Sequence, residues 1–163
     1  MSAILNLTTT EYNLSAVLDN QMSAVTTLID ELETSGIQII NWNLASCDQP
    51  SALRLTMRLS GDPEIVNRAL LHCKEVQDCE FCEVSDAIHL ELALVSVVAS
   101  GTTQDEAASL IASRGGRLLG LGPDGFTAQI SEKPEAIETT IALLQAIAPT
   151  EATRSGQVFV RRS

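Results

Sequence analysis

Aromatic side chains are nearly missing from this 163-residue chain: one Trp, one Tyr and three Phe make up 3% of it, so any core must be aliphatic. Basic residues are scarce too. Ten Lys and Arg stand against 21 Asp and Glu, a net charge of −11. A protein that grips phosphates needs clustered cations to displace counterions, so nucleic acid is excluded as a partner. No apolar stretch approaches the roughly 18–20 residues that would cross a bilayer. Nor is there a basic start followed by an apolar run and a small-residue cleavage site. These absences predict a cytoplasmic protein with no membrane partner. Four cysteines are too few to staple a chain of this length, and reduced thiols are expected.

What is present is a globular profile, 45% apolar and 19% charged. Charge is uneven, with 4 basic and 13 acidic side chains in residues 1–89 against 6 and 8 in residues 90–163. The dominant feature is a doubling. Pro63 in GDPEIV (Gly61 to Val66) and Pro134 in SEKPEAIE (Ser131 to Glu138) stand 71 residues apart at matching helix starts. That offset is one small domain, too long for a solenoid unit. Each half reads as strand, helix, hairpin, helix, strand. The predicted class is α+β, with two tandem ferredoxin-like (βαββαβ) domains, each a four-stranded sheet with two helices on one face. The boundaries are an N-terminal extension over 1–11, a first domain over 12–86 and a second over 90–163, with a linker at about Ser85 to His89 short enough that the two should touch. Domains this small gain from burying surface against a partner, so an oligomer is expected.

Residues 1–11, MSAILNLTTTE, are either a loose extension or an added edge strand. Tyr12 to Leu18 reads as the first strand. Val25, Leu28, Ile29 and Leu32 predict a helix over Ala24 to Ser35, with Ser23 as N-cap and Gly36 at the C′ position. Ile37 to Cys47 is β-branched, and Ile40, Trp42 and Leu44 alternate with Asn41 and Asn43. Leu53, Leu55, Met57 and Leu59 alternate cleanly with Arg54, Thr56, Arg58 and Ser60, one face buried and one wet. A helix opens at Pro63 with Ile65, Val66, Ala69, Leu70 and Cys73 on its stripe, and Cys79 to Val84 closes the half. In the second half, Leu90 to Val98 is almost continuously apolar, which predicts a central strand covered for much of its length. Thr103 to Ser113 is a helix, and Arg117 to Leu121 and Phe126 to Ile130 form a hairpin across Gly122 to Gly125. Pro134 opens a helix to about Ala148, and Gln157 to Arg161 is the last strand.

Few residues carry catalytic chemistry. Cys79 and Cys82 have C-x-x-C spacing near His72 and Cys73, but in a strand positions three apart point to opposite faces and no second ligand pair exists. A metal site is not expected, and Cys73, Cys79 and Cys82 read as free thiols. Neither His72 nor His89 has a Ser or Cys elbow beside it, so no enzyme activity is predicted. Gly115, Gly116, Gly120 and Gly122 lack a P-loop lysine and a following helix, which leaves turn geometry. One candidate site survives. Asn20-Gln21-Met22-Ser23-Ala24, between strand and helix, would present backbone N–H groups to a carboxylate, against the simpler reading of an ordinary surface cap.

Several segments together resemble a known family. LELALVSVVA (Leu90 to Ala99), RGGRLLGLGPDGFTAQISEKPEAIETTIALL (Arg114 to Leu144) and EATRSGQVFVRR (Glu151 to Arg162), with E-x-x-R-S-G as the most telling piece, are similar to the second domain of acetolactate synthase small subunits. LIDELETSGIQI (Leu28 to Ile39) resembles that family's first helix and following strand. The resemblance implies an N-terminal ACT domain and a non-catalytic regulatory subunit, a homodimer or larger, whose ACT sheets join side by side. It implies docking onto the acetolactate synthase catalytic subunit in branched-chain amino-acid biosynthesis, raising its activity and often conferring inhibition by valine at the ACT dimer interface. No cofactor is expected in this chain; thiamine diphosphate and Mg are expected in the catalytic partner. The family's effector loop is N-x-P-G or N-x-S-G. Here Asn20 is kept, Ser23 replaces the glycine, Thr27 the usual arginine, and Gln38 the asparagine of the second strand. The implied effector residues are Asn20, Gln21, Met22, Ser23, Ala24, Gln38 and Ile39. The alternative is a stand-alone ACT-type amino-acid sensor serving a different partner.

Overall fold

The computed structural model describes residues 10–163, so the predicted N-terminal extension lies almost wholly outside the described residues. By contacts the chain divides into two units, one running to Ile88 and including Phe159–Ser163, the other His89–Val158. The first contains β1 (Glu11–Asp19), α1 (Met22–Thr34), β2 (Gln38–Ser46), β3 (Ala52–Ser60), α2 (Pro63–His72) and β4 (Val76–Glu83), then a 3-10 turn over Val84–Asp86. The second contains most of β5 (Ala87–Val98), α3 (Gly101–Ser113), β6 (Arg117–Gly122), β7 (Gly125–Glu132), α4 (Pro134–Ile147) and most of β8 (Thr150–Arg161), the start of β5 and the end of β8 falling in the first unit by contacts. The sheet orders are β2-β3-β1-β4 and β6-β7-β5-β8, so the βαββαβ pattern occurs twice, as expected.

Period-two patterning explains the first core. Tyr12, Leu14, Ala16 and Leu18 of β1 lie opposite Leu59, Met57, Leu55 and Leu53 of β3. All but Leu53 are buried, and they pack under Val25, Leu28 and Leu32 of α1 and Val66, Ala69 and Leu70 of α2. The alternate residues Arg54, Thr56 and Arg58 fall on the other face. Arg54 donates to the Ser15 hydroxyl at 2.9 Å, and Arg58 meets Glu11 at 2.7 Å. Gly36, at φ +81°, takes the left-handed turn after α1 that only glycine adopts without strain.

Five local expectations need correction. α1 begins at Met22, two residues before the predicted start, so Gln21 is the N-cap and Ser23 lies inside the helix. The alternation of Ile40, Trp42 and Leu44 fails at a β-bulge between Ile39 and Asn41. The extra residue shifts the register, so Ile39, Trp42 and Leu44 sit opposite the core-facing Leu59, Met57 and Leu55, while Ile40 is displaced and exposed. The run at Leu90 to Val98 is central in hydrogen-bond order but covered on one face alone: Ala93, Val95 and Val97 are buried, whereas Leu92, Leu94 and Val98 are 38%, 41% and 61% exposed. Helices lie against only one side of this sheet. Finally, the last strand starts at Thr150 rather than Gln157, and β5 starts at Ala87, inside the predicted linker.

The hairpin from β6 to β7 is tighter than expected, with Pro123-Asp124 alone as the turn. Gly125 sits at φ +156°, and a Cβ there would collide with the Val97 carbonyl of β5. The longer β8 brings Arg154 onto Glu91. Its Nε and Nη2 donate to the two carboxylate oxygens at 2.8 and 2.7 Å, and Glu91 is 4% exposed. The adjacent Ser155 hydroxyl accepts from the Leu92 N–H at 3.1 Å, and Gly156 takes φ +78°. The E-x-x-R-S-G stretch is thus a clamp holding β8 to β5.

Removing one partner of a buried ion pair leaves an uncompensated charge. Arg154→Met is therefore expected to lower stability by about 2–4 kcal/mol in urea unfolding, and Glu91→Met/Arg154→Met by distinctly less, because no charge is then stranded.

Candidate functional site

The predicted loop is built at the C-terminal end of β1. The Asp19 N–H donates to the Glu75 carbonyl at 3.1 Å, the Asn20 N–H to the Ser51 carbonyl at 2.9 Å, and the Gln21 N–H back to the Asp19 carbonyl at 2.6 Å. These bonds fix the turn that starts α1. No side chain caps that helix, and its first turn holds no acidic residue. α2 differs: Asp62 accepts from the Glu64 N–H at 2.9 Å and Glu64 adds charge in the first turn. The start of α1 therefore keeps its positive end uncompensated by side chains, which suits an anionic group.

Of the seven predicted effector residues, Asn20, Gln21, Met22 and Ser23 form one exposed cluster at this loop. Met22 is 63% exposed, and the Ser23 carbonyl accepts from the Thr27 hydroxyl at 2.8 Å, so Thr27 bonds its own helix. Ala24 is fully buried and contributes backbone only. Gln38 and Ile39 lie elsewhere. They pair with Ser60 and Leu59, at the sheet end occupied by Glu11 and Tyr12, whereas the loop follows Asp19 beside Ala52. The separation is about eight residues of strand, roughly 26 Å at 3.3 Å per residue. Within one chain the two groups do not meet.

The cysteines do not assemble into a reactive centre. Cys79 pairs with Ala16 on the helix-bearing face and is exposed, while Cys82 pairs with Asn13 on the other face and is buried. Burial raises the thiol pKa of Cys73, Cys79 and Cys82, with Glu75 adding to the effect at Cys73 and Asp78 at Cys79. Such thiols are mostly protonated at neutral pH. Among the described residues no three His, Cys, Asp or Glu side chains are grouped to hold a metal ion, and no helix is long and apolar enough to cross a membrane. His72 instead bridges the helices, with Nδ1 3.5 Å from the Glu31 carboxylate.

Two βαββαβ units in tandem, the first with an open strand-to-helix loop, define the ACT-type ferredoxin-like class. The comparisons carry this to a family. Residues 90–163 match the family model described as small subunit of acetolactate synthase. The chain is 27% identical over 154 residues to the acetolactate synthase isozyme 3 small subunit of Salmonella typhimurium, spanning 91% of this chain and 94% of that one. It is 22% identical over 147 residues to the acetolactate synthase small subunit of Aquifex aeolicus, spanning 88% and 77%. The crystal structure of the acetolactate synthase small subunit from Thermotoga maritima has the same fold, with a TM-score of 0.83 at 21% identity over 94% of this chain and 98% of that one. The likeness thus extends from the second unit over nearly the whole chain.

Because Ser23 caps nothing, Ser23→Ala is expected to change stability by less than about 0.5 kcal/mol, whereas Asp62→Ala, which removes a formed cap, costs about 1 kcal/mol. Thermal unfolding of the two variants checks the reassigned helix start.

Proposed function

We propose that this chain is the non-catalytic regulatory subunit of an acetolactate synthase, acting in branched-chain amino-acid biosynthesis by docking on the catalytic subunit and raising its activity. The observation that carries this reading is the likeness across both units to small subunits of that enzyme. Thiamine diphosphate and Mg belong, on this reading, to the catalytic partner.

Edge chemistry supports a specific homodimer. β2, QIINWNLAS, carries no charge and exposes Ile40 and Trp42, 44% and 51% accessible. β4 carries Asp78, Glu80 and Glu83, so two copies meeting there would set like charges together. Two-fold pairing through β2 with the helices on a common face makes the paired strands antiparallel. The partner's Gln38 end then lies beside this protomer's Ser46 end, and so beside its Asn20 loop. The site separated within one chain is completed between two. A branched-chain amino acid would set its carboxylate on the open start of α1 and its ammonium toward the amide oxygens of Asn20 and the partner's Gln38.

The departures at Ser23 and Gln38 favour, as a second reading, a sensor of another amino acid acting on another partner. Adding the chain to the acetolactate synthase catalytic subunit of the same cell separates the two readings. Acetolactate output rises severalfold on the first, and an unchanged rate discards it.

Calorimetry tests the composite site. Valine, leucine or isoleucine gives saturable heat with the native dimer, and Asn20→Ala and Gln38→Ala each abolish it. A purified heterodimer of these two variants recovers binding at half the native stoichiometry, since one of its two sites is intact. Recovery of nothing, or of everything, is incompatible with sites shared across the dimer.

A further inference from the structure

Tyr12 lies at the end of β1 opposite Asn20, and it is the only tyrosine in the chain. The residue is 4% exposed, and its hydroxyl is the one buried side-chain polar atom among the described residues without a hydrogen-bond partner. An enclosed hydroxyl with nothing to bond costs free energy that phenylalanine would avoid, so the group points to an acceptor supplied from outside.

The surroundings say what acceptor fits. Tyr12 lines a cavity of about 340 Å³ between the first half of α2 and the end of β4. Phe81 gives it an apolar wall, its ring centroid 6.0 Å from that of Tyr12. The exposed side chains of Asn67, Glu83, Asp86 and Arg161 supply an amide, two carboxylates and a guanidinium. Arg161 belongs to the first unit by its contacts, and the next residue's N–H donates to the Asp86 carbonyl at 2.8 Å. Burial and the charge of Asp62 push the Tyr12 phenol up to about 12, so it stays a donor at physiological pH. The volume is at the small end of ligand pockets, suited to an amino-acid-sized molecule rather than a nucleotide.

We propose that this cavity is a second binding site, separate from the Asn20 loop, for a small zwitterion bearing an ammonium and a carboxylate on a short apolar stem. The carboxylate accepts from the Tyr12 hydroxyl and pairs with Arg161, the ammonium faces Glu83 and Asp86, and the stem lies against Phe81. Charge decides the class. A plain carboxylic acid would meet two carboxylates for one guanidinium, and a plain amine would leave the phenol without its acceptor. The site lies on the β4 side of the sheet, away from the uncharged β2 edge, and does not depend on dimer pairing.

The single tyrosine makes the test direct. An isotope label at tyrosine Cζ in the full chain reports on this hydroxyl alone, with the standard L-amino acids as probes alongside isobutyrate and isobutylamine, each to about 10 mM. At least one amino acid is expected to shift the resonance saturably, with both single-charge analogues at least roughly tenfold weaker. By calorimetry, Tyr12→Phe and Arg161→Gln lose at least about tenfold in affinity for that amino acid, while Asn20→Ala retains it. Tyr12→Phe should melt at the native temperature or above, which separates lost binding from lost folding. The proposal falls if no amino acid moves the resonance, if either analogue binds as well as the zwitterion, or if Asn20→Ala abolishes the response. Failure of activation or of the Asn20 site would leave these outcomes unchanged.

Discussion

Each unit sets two helices against the same face of a four-stranded sheet, and that helix-bearing face determines which strand residues must be apolar. Side chains at alternate positions, such as Leu14, Ala16, Leu55 and Met57, enter the core, while their neighbours must suit whatever faces the opposite side. In the first unit those neighbours include Arg54, which donates to Ser15, and Arg58, which pairs with Glu11. In the second they include Leu92, Leu94 and Val98, which remain substantially exposed. The helix-free faces of the two sheets thus differ in chemistry: in the first Asn13 and Ser15 are polar and buried, and in the second Leu92, Leu94 and Val98 are hydrocarbon and exposed. A protein that works by associating has use for the second kind.

The ion pair between Arg154 and Glu91 shows how the second unit keeps such a face without losing order. A carboxylate that is 4% exposed is held by a two-pronged guanidinium from the strand beside it, and the next residue's hydroxyl takes an N–H from β5. Alternatives in strand register would break both contacts at once. Such pairs add little net stability but penalise wrong pairings heavily. This suits a strand whose two faces are both apolar, since hydrophobicity alone does not tell them apart.

Much of this was legible in the sequence because the doubling and the alternation at Leu53 to Leu59 are direct products of one-sided burial. Where reading failed, a specific physical event intervened. One inserted residue at Ile40 took that side chain off the face that Trp42 and Leu44 keep. Ser23 had the chemistry of a cap but the chain entered the helix earlier, at Gln21. The apolar run at Leu90 to Val98 satisfied the criterion for burial on both faces, and no local pattern distinguishes an exposed leucine from a covered one. E-x-x-R-S-G was recognisable as a marker, yet its contact lies 63 residues away, beyond any local pattern. The loop at Asn20 was visible from its position before a helix. That Gln38 stands at the opposite end of the sheet follows only from strand order.

The two margins of the first sheet also differ in a way that limits growth. One is an uncharged ribbon with an exposed indole ring at its middle; the other is lined with Asp78, Glu80 and Glu83. A sheet with two adhesive margins would polymerise into a fibre, each added copy offering a fresh edge. In the proposed dimer, pairing through the uncharged margin consumes it and propagation stops. Three carboxylates along one strand thus act as a terminator for the sheet.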